Sequence, residues 1–131
     1  MPELSIVAEK DSMIIGHILF FPIQIKSEEQ SYKSISLAPM AVLPEYQNQG
    51  IGSRLVRYGL EKSGEKGYQS VIVLGHPKYY PRFGFEKASK WGIRPPFDAP
   101  DEAFMVRELV EGGLKGISGV VEYPDEYSAA L

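Results

Sequence analysis

The stretch Val42-Leu43-Pro44-Glu45-Tyr46-Gln47-Asn48-Gln49-Gly50-Ile51-Gly52-Ser53-Arg54-Leu55 joins two different patterns. Before it the chain is rich in β-branched and aromatic residues, and Pro44 ends strand pairing. From Ile51 the period changes, so that Ile51, Leu55, Tyr58 and Gly59 share one face of a helix while Arg54, Arg57, Glu61 and Lys62 lie mostly elsewhere. Flexible backbone therefore sits where a helix begins, and the first N–H groups of that helix lack intrahelical partners. Those donors and the helix dipole attract an anion. Gly50 and Gly52 remove the side chains that would hold a diphosphate away from the main chain. Backbone amides over this span are the expected cradle.

Other phosphate loops fit worse. A P-loop needs Gly-x-x-x-x-Gly-Lys-Ser/Thr, and a dinucleotide fingerprint would need a third glycine where Leu55 stands. An isolated Gly-x-Gly is as readily a plain strand-to-helix turn, so the surroundings must decide.

Towards the N-terminus, Leu4 to Glu9 and Met13 to Ile25 read as extended segments joined at Lys10-Asp11-Ser12, an antiparallel hairpin with Gly16 as a bulge position. Polar Ser27 to Ser31 interrupts, and Tyr32 to Val42 forms a third strand running into Leu43-Pro44. Towards the C-terminus, Gly64 and Gly67 mark the fraying end of the helix. Val71-Ile72-Val73-Leu74 reads as a strand buried on both faces, and strand, helix, strand implies a right-handed parallel crossover. Beyond Pro95-Pro96 and Pro100, Phe104 to Val110 and Ile117 to Tyr123 suggest two more strands. The fold class is α/β (α+β), read as a single domain over residues 1–131 with no repeat and no linker.

Composition narrows the function classes. At 131 residues with 44% hydrophobic content, the chain fills one continuous core. No apolar run approaches the roughly 20 residues of a membrane span, and no leader pattern opens the chain; a cytoplasmic protein without membrane partner is expected. With no cysteine and only His17 and His76 as imidazoles, neither a metal site nor a Cys-His mechanism is expected. The net charge of -3, without a basic cluster, speaks against nucleic acid.

The fourteen residues Val42 to Leu55 resemble the acetyl-CoA signature of the GCN5-related N-acetyltransferases, with Gln47, Gly50 and Gly52 at its defining positions. A second block, Tyr79-Tyr80-Pro81-Arg82-Phe83-Gly84-Phe85, resembles the family's Tyr-x-x-x-Gly-Phe segment at the expected distance after the crossover strand. The wording around Gly75-His76-Pro77 and Phe97 to Glu102 is similar to the bacterial YhbS-like branch of predicted acetyltransferases. The resemblance implies a mixed, mostly antiparallel sheet in which pantetheine enters a gap between the strand leading into the signature and its parallel neighbour. By it, Val42 and Leu43 bind pantetheine, and Gln47, Asn48, Gln49, Gly50, Ile51, Gly52 and Ser53 hold the pyrophosphate of acetyl-CoA. The reaction implied is transfer of the acetyl group to a primary amine of a small-molecule or peptide acceptor.

A neutral amine attacking a thioester needs donors for the oxyanion and a proton for the leaving sulfur. Tyr80 matches the family's general acid, and a phenol with an ordinary pKa of about 10 stays protonated at neutral pH; Tyr79 is the alternative. Ile35 to Met40 offers no carboxylate, which leaves His76 as candidate base or water as a relay. Arg82 and Lys78 face either the adenosine 3'-phosphate or solvent. Family members usually place a strand and two helices before the hairpin, whereas this chain reaches its hairpin almost at once, so a CoA-binding regulatory module without turnover is the competing reading. A homodimer is expected by resemblance, through an exposed hairpin edge and apolar Ile18-Leu19-Phe20-Phe21.

Overall fold

A computed structural model describes residues 4–124; the two chain ends, which the single-domain reading includes, lie outside the described residues. Strands β1 (Leu4–Lys10), β2 (Met13–Lys26) and β3 (Ser31–Val42) form an antiparallel meander. Helix α1 (Ile51–Glu65) then connects β3 to β4 (Ser70–Leu74), and those two strands run parallel. Short β5 (Glu86–Lys87) and β6 (Ile93–Arg94) precede β7 (Phe104–Glu108) and β8 (Gly119–Glu122). The sheet order is β5-β7-β4-β3-β2-β8-β6, with β1 beside the other half of β2. Among the described residues only β3–β4 and β6–β8 are parallel pairs, so the expected mixed, mostly antiparallel sheet is what forms.

Local chemistry accounts for these elements. Lys10 pairs with Met13, leaving Asp11 and Ser12 as a two-residue turn with φ of 51° and 66°, the left-handed pair that matches strand twist. The β1–β2 register shifts opposite Ile14 and Gly16, where Gly16 suggested a bulge. Alternation on the strands then separates two cores. Ile18, Phe20, Ile35, Leu37, Val71 and Val73 point towards α1, and Phe21, Ile23, Ile25, Ile72 and Val106 point the other way. As read from its sequence, β4 is buried on both faces, Val71, Ile72 and Val73 being at most 1% exposed.

The helix differs from expectation in its phase. Its buried positions are Leu55, Val56, Gly59, Leu60 and Ser63, a stripe at offsets 0, 1, 4, 5 and 8. Tyr58 is 49% exposed; its ring is as compatible with the helix flank as with the core, and period alone did not place it. Gly59 sits against Phe20 so closely that a Cβ would lie 2.1 Å from the ring, which only glycine permits. As the sequence suggests, Gly64 and Gly67 mark its end: Gly64 is in the last turn and its carbonyl accepts from Gly67 N–H. The helix closes at Gly67 (φ 94°), with Lys66 N–H donating to Lys62 O and Tyr68 N–H to Ser63 O.

One expectation is corrected: Ile18-Leu19-Phe20-Phe21 offers no apolar surface for a dimer, because β2 lies between β1 and β3 here and Ile18, Phe20 and Phe21 are at most 1% exposed. Beyond Pro95-Pro96 the described residues hold the two expected strands, β7 and β8; the two-residue pairings β5 with β7 and β6 with β8, which start before that point, are additions the sequence did not suggest.

Candidate active site

The site begins where β3 and β4 part. Parallel pairing runs from Ile35–Val71 to Leu37–Val73 and stops. From there β4 follows β7, with Leu74 opposite Phe104 and Gly75 N–H donating to Ala103 O. β3 follows β2 instead, from Met40–Ile18 to Val42–Gly16, after a register shift that adds a residue on β3. Each strand is held by its outer neighbour, so a gap opens between them. Leu43 N–H donates to Ile15 O, and ladder alternation then turns the amide and carbonyl of Val42 into the gap. That carbonyl accepts from Gln47 Nε2 at 3.0 Å, which ties the following loop to the strand end.

The backbone groups of the loop divide into engaged and unpartnered ones. Leu43 O accepts from Tyr46 N–H and Pro44 O from Gln47 N–H. The backbone groups of Leu43 and the amide of Gln47 are thus already engaged, and what Leu43 offers the gap is its partly exposed side chain. From Asn48 to Ser53, no amide donates a hydrogen bond among the described residues; the first helical bond is Arg54 N–H to Gly50 O. Asn48 and Gly50 adopt φ of 64° and 81°, left-handed conformations that asparagine tolerates and glycine adopts freely. No acidic residue lies in the first turn of α1, so the positive end of its dipole stays uncompensated.

The two glycines serve different ends. Gly50 is needed for its backbone angle, and space around it is open. Gly52 has no such angle, and a Cβ there would meet only Tyr79 Oη at 3.4 Å and Met40 Cε at 3.5 Å, ordinary contact. The protein itself does not demand glycine at 52; a group lying against the backbone would. This is the fit expected of a diphosphate held by main-chain donors.

The second block packs onto the same end of the sheet. Tyr80 is buried, its ring lying where a Cβ on Gly75 would be 2.4 Å from Cε2. Phe85 and Tyr79 meet that ring edge-on at 5.7 and 5.1 Å between centroids. Burial, with Tyr79 adding to it, raises the Tyr80 phenol above its ordinary pKa, so it remains a proton donor through the neutral and mildly alkaline range. Tyr79 is aimed elsewhere: its hydroxyl shares a 3.2 Å hydrogen bond with Ser53 Oγ at the start of α1. Arg82 holds it there, donating from Nε to Tyr79 O at 3.0 Å and stacking over the ring at 4.6 Å. His76 is exposed just beyond β4, and its Nδ1 accepts from Lys78 N–H at 3.2 Å. Gly84 (φ 90°) lies against Arg107, whose Nε would be 2.9 Å from a Cβ there, which accounts for the glycine of the Gly-Phe pair.

Sequence reasoning missed two contributors. Gly75 stands out in sequence only as part of Gly75-His76-Pro77 and not for its packing, though a glycine ending a buried strand before a tyrosine-rich turn is a signal for close aromatic packing. Arg107, far from both motifs in sequence, had no local signal.

With this geometry in place, likeness to known proteins becomes specific. Residues 2–87 match the acetyltransferase (GNAT) domain. The uncharacterized N-acetyltransferase YhbS of Escherichia coli is 36% identical over 126 residues, covering 95% of this chain and 74% of the relative. YjhQ of Escherichia coli is 46% identical over 102 residues, 77% of this chain and 56% of the relative. The crystal structure of Escherichia coli YhbS with CoA superposes with a TM-score of 0.87 at 35% identity, over 94% of this chain and 68% of that one. An acetyltransferase from Brucella melitensis with acetyl-CoA gives 0.73 at 30% identity, over 95% and 68%. By domain match, sequence identity and superposition alike, the chain belongs to the GNAT family of N-acetyltransferases.

Proposed function

We propose that this chain, acting as one domain over residues 1–131, transfers the acetyl group of acetyl-CoA to a primary amine of a small-molecule or peptide acceptor by direct attack on the thioester. One observation carries the reading: the run of unpartnered amides from Asn48 to Ser53, at a helix start without acidic residues, opens beside the half of β3 that is paired on one side only. In this reading the amides hold the pyrophosphate, Gln47 braces the loop through Val42 O, and Val42 and Leu43 line the pantetheine slot. The amine nitrogen bonds to the carbonyl carbon, the C–S bond breaks, and Tyr80 gives its proton to the leaving sulfur. The amine's surplus proton passes to His76, once its Nδ1 leaves the Lys78 amide, or to water. The same reading puts the enzyme in the cytoplasm, as its sequence suggests. A homodimer would use the outer edge of β1, which lacks a strand partner among the described residues.

The test is calorimetric titration with acetyl-CoA followed by turnover across a panel of amines. Saturable binding and turnover support the proposal; binding without turnover of any amine would overturn the enzymatic part. Tyr80→Phe is expected to lower kcat by about a hundredfold or more, as removal of a general acid does, with acetyl-CoA affinity unchanged. Wild-type turnover in that variant would remove Tyr80 from the role, and an unaltered pH profile in His76→Ala would remove His76.

A further inference from the structure

All four side-chain ion pairs among the described residues use lysine: Lys26–Glu122, Lys62–Glu65, Lys87–Asp101 and Lys90–Glu86. No arginine is so paired, yet Arg57, Arg82 and Arg107 converge on one cavity of about 590 Å³ between α1, Gly84 and β7. Glu61 is the one carboxylate lining it, and it makes no ion pair with any of the three. Two of the guanidiniums are already oriented. Arg57 stacks over Phe83 at 5.1 Å and Arg82 over Tyr79 at 4.6 Å, while Arg107, half-buried, rests against Gly84. Stacking fixes the plane of a guanidinium without using its edge donors; in Arg82 the Nε is taken by Tyr79 O, which leaves the terminal nitrogens for a ligand. Three such forks around one opening, with a single opposing carboxylate, have the donor set for a doubly charged, three-oxygen group.

We infer that this cavity is a binding site for a phosphate monoester, separate from the amide cradle at the start of α1. The two are physically linked: Tyr79 bonds Ser53 in the cradle through its hydroxyl and carries Arg82 on its ring. Arg57 follows Ser53 by four residues, about 6 Å along the helix axis. A monoester there has two sources, the 3'-phosphate of the cofactor or a separate phosphorylated ligand. The first rests on the acetyl-CoA reading proposed above; the second does not.

The experiment compares wild type, the double variant Arg57→Gln/Arg107→Gln and the remote control Arg94→Gln by calorimetry at fixed ionic strength. The probes are CoA, 3'-dephospho-CoA and inorganic phosphate. Arg82 is left intact because it braces Tyr79, and circular dichroism melting checks that each variant is folded; should the double variant be unfolded, Arg57→Gln alone, at an exposed position, replaces it. If the monoester is the cofactor's own, CoA binds wild type about tenfold more tightly than 3'-dephospho-CoA, and the gap closes in the double variant but not in the control. If the ligand is separate, the two cofactors bind alike, and inorganic phosphate gives saturable heat that the double variant loses. The inference is overturned if phosphate gives no saturable heat and the cofactor gap is absent or survives in the double variant. Failure of both cofactors to bind wild type would count against the acetyl-CoA reading, and the phosphate arm would still decide the cavity.

Discussion

The two halves of β3 share one strand and have opposite fates. Ile35 to Leu37 are paired on both sides and buried, with Ile35 at 0% and Leu37 at 2% exposure. Met40 to Val42 are paired on one side only, half-buried or exposed, and feed a loop whose amides have no partners. The first half stabilises the fold through side chains. The second carries the candidate site through main chain, so the side chains there are nearly free to vary while the backbone path is not. The contrast teaches where substitution should read out as stability and where as ligand affinity.

Substitutions at matched positions sharpen or break that contrast. The largest effect is expected for Ile35→Ala, a cavity under α1 that should cost about 2–5 kcal/mol in urea unfolding; a loss below about 1 kcal/mol would mean that the zipped half is not the structural one. Next comes a titration tied to that half. Burial pushes the Tyr123 phenol up to about 12, with Ser36 partly opposing. The neutral phenol therefore favours the folded state: the contribution is complete below the ordinary value of about 10 and is lost as pH rises through 12, by about 3 kcal/mol. Tyr123→Phe should flatten the stability profile between pH 10 and 12, measured by urea unfolding at each pH. In the open half, Gly52→Ala should leave stability within about 0.5 kcal/mol yet weaken acetyl-CoA binding at least about tenfold in calorimetry. Unchanged affinity would break the assignment of that backbone to a ligand. The smallest effect is expected for Val42→Ala, less than about twofold in affinity, because the slot uses main-chain groups.

Much of this was legible in sequence, for reasons visible residue by residue. β1 to β4 announce themselves through runs of Ile, Val and Phe bounded by polar breaks, and α1 through a change of period at Gly50-Ile51-Gly52. The run of unpartnered amides was legible because it is built from consecutive backbone. The two-residue strands β5 and β6 were not, since two residues carry no period and exist as strands only through their neighbours. Tyr58 misled because an aromatic at helical spacing fits a flank as well as a core. The arginine cavity draws on three distant stretches, and the burial of Tyr80 depends on an absent side chain at Gly75; neither leaves a local mark.

The contact between Gly59 and Phe20 has a mechanical side. It seats the helix backbone directly on an aromatic ring of the sheet at a point about 12 Å, eight residues, from the first helical residue. Position 59 is thus a fulcrum, and the start of α1 is the tip of a lever. Any side chain there would lift the middle of the helix off the sheet and swing its tip relative to the end of β3. The aim of the cradle is set from a place that touches no ligand, by the thickness of one aromatic ring.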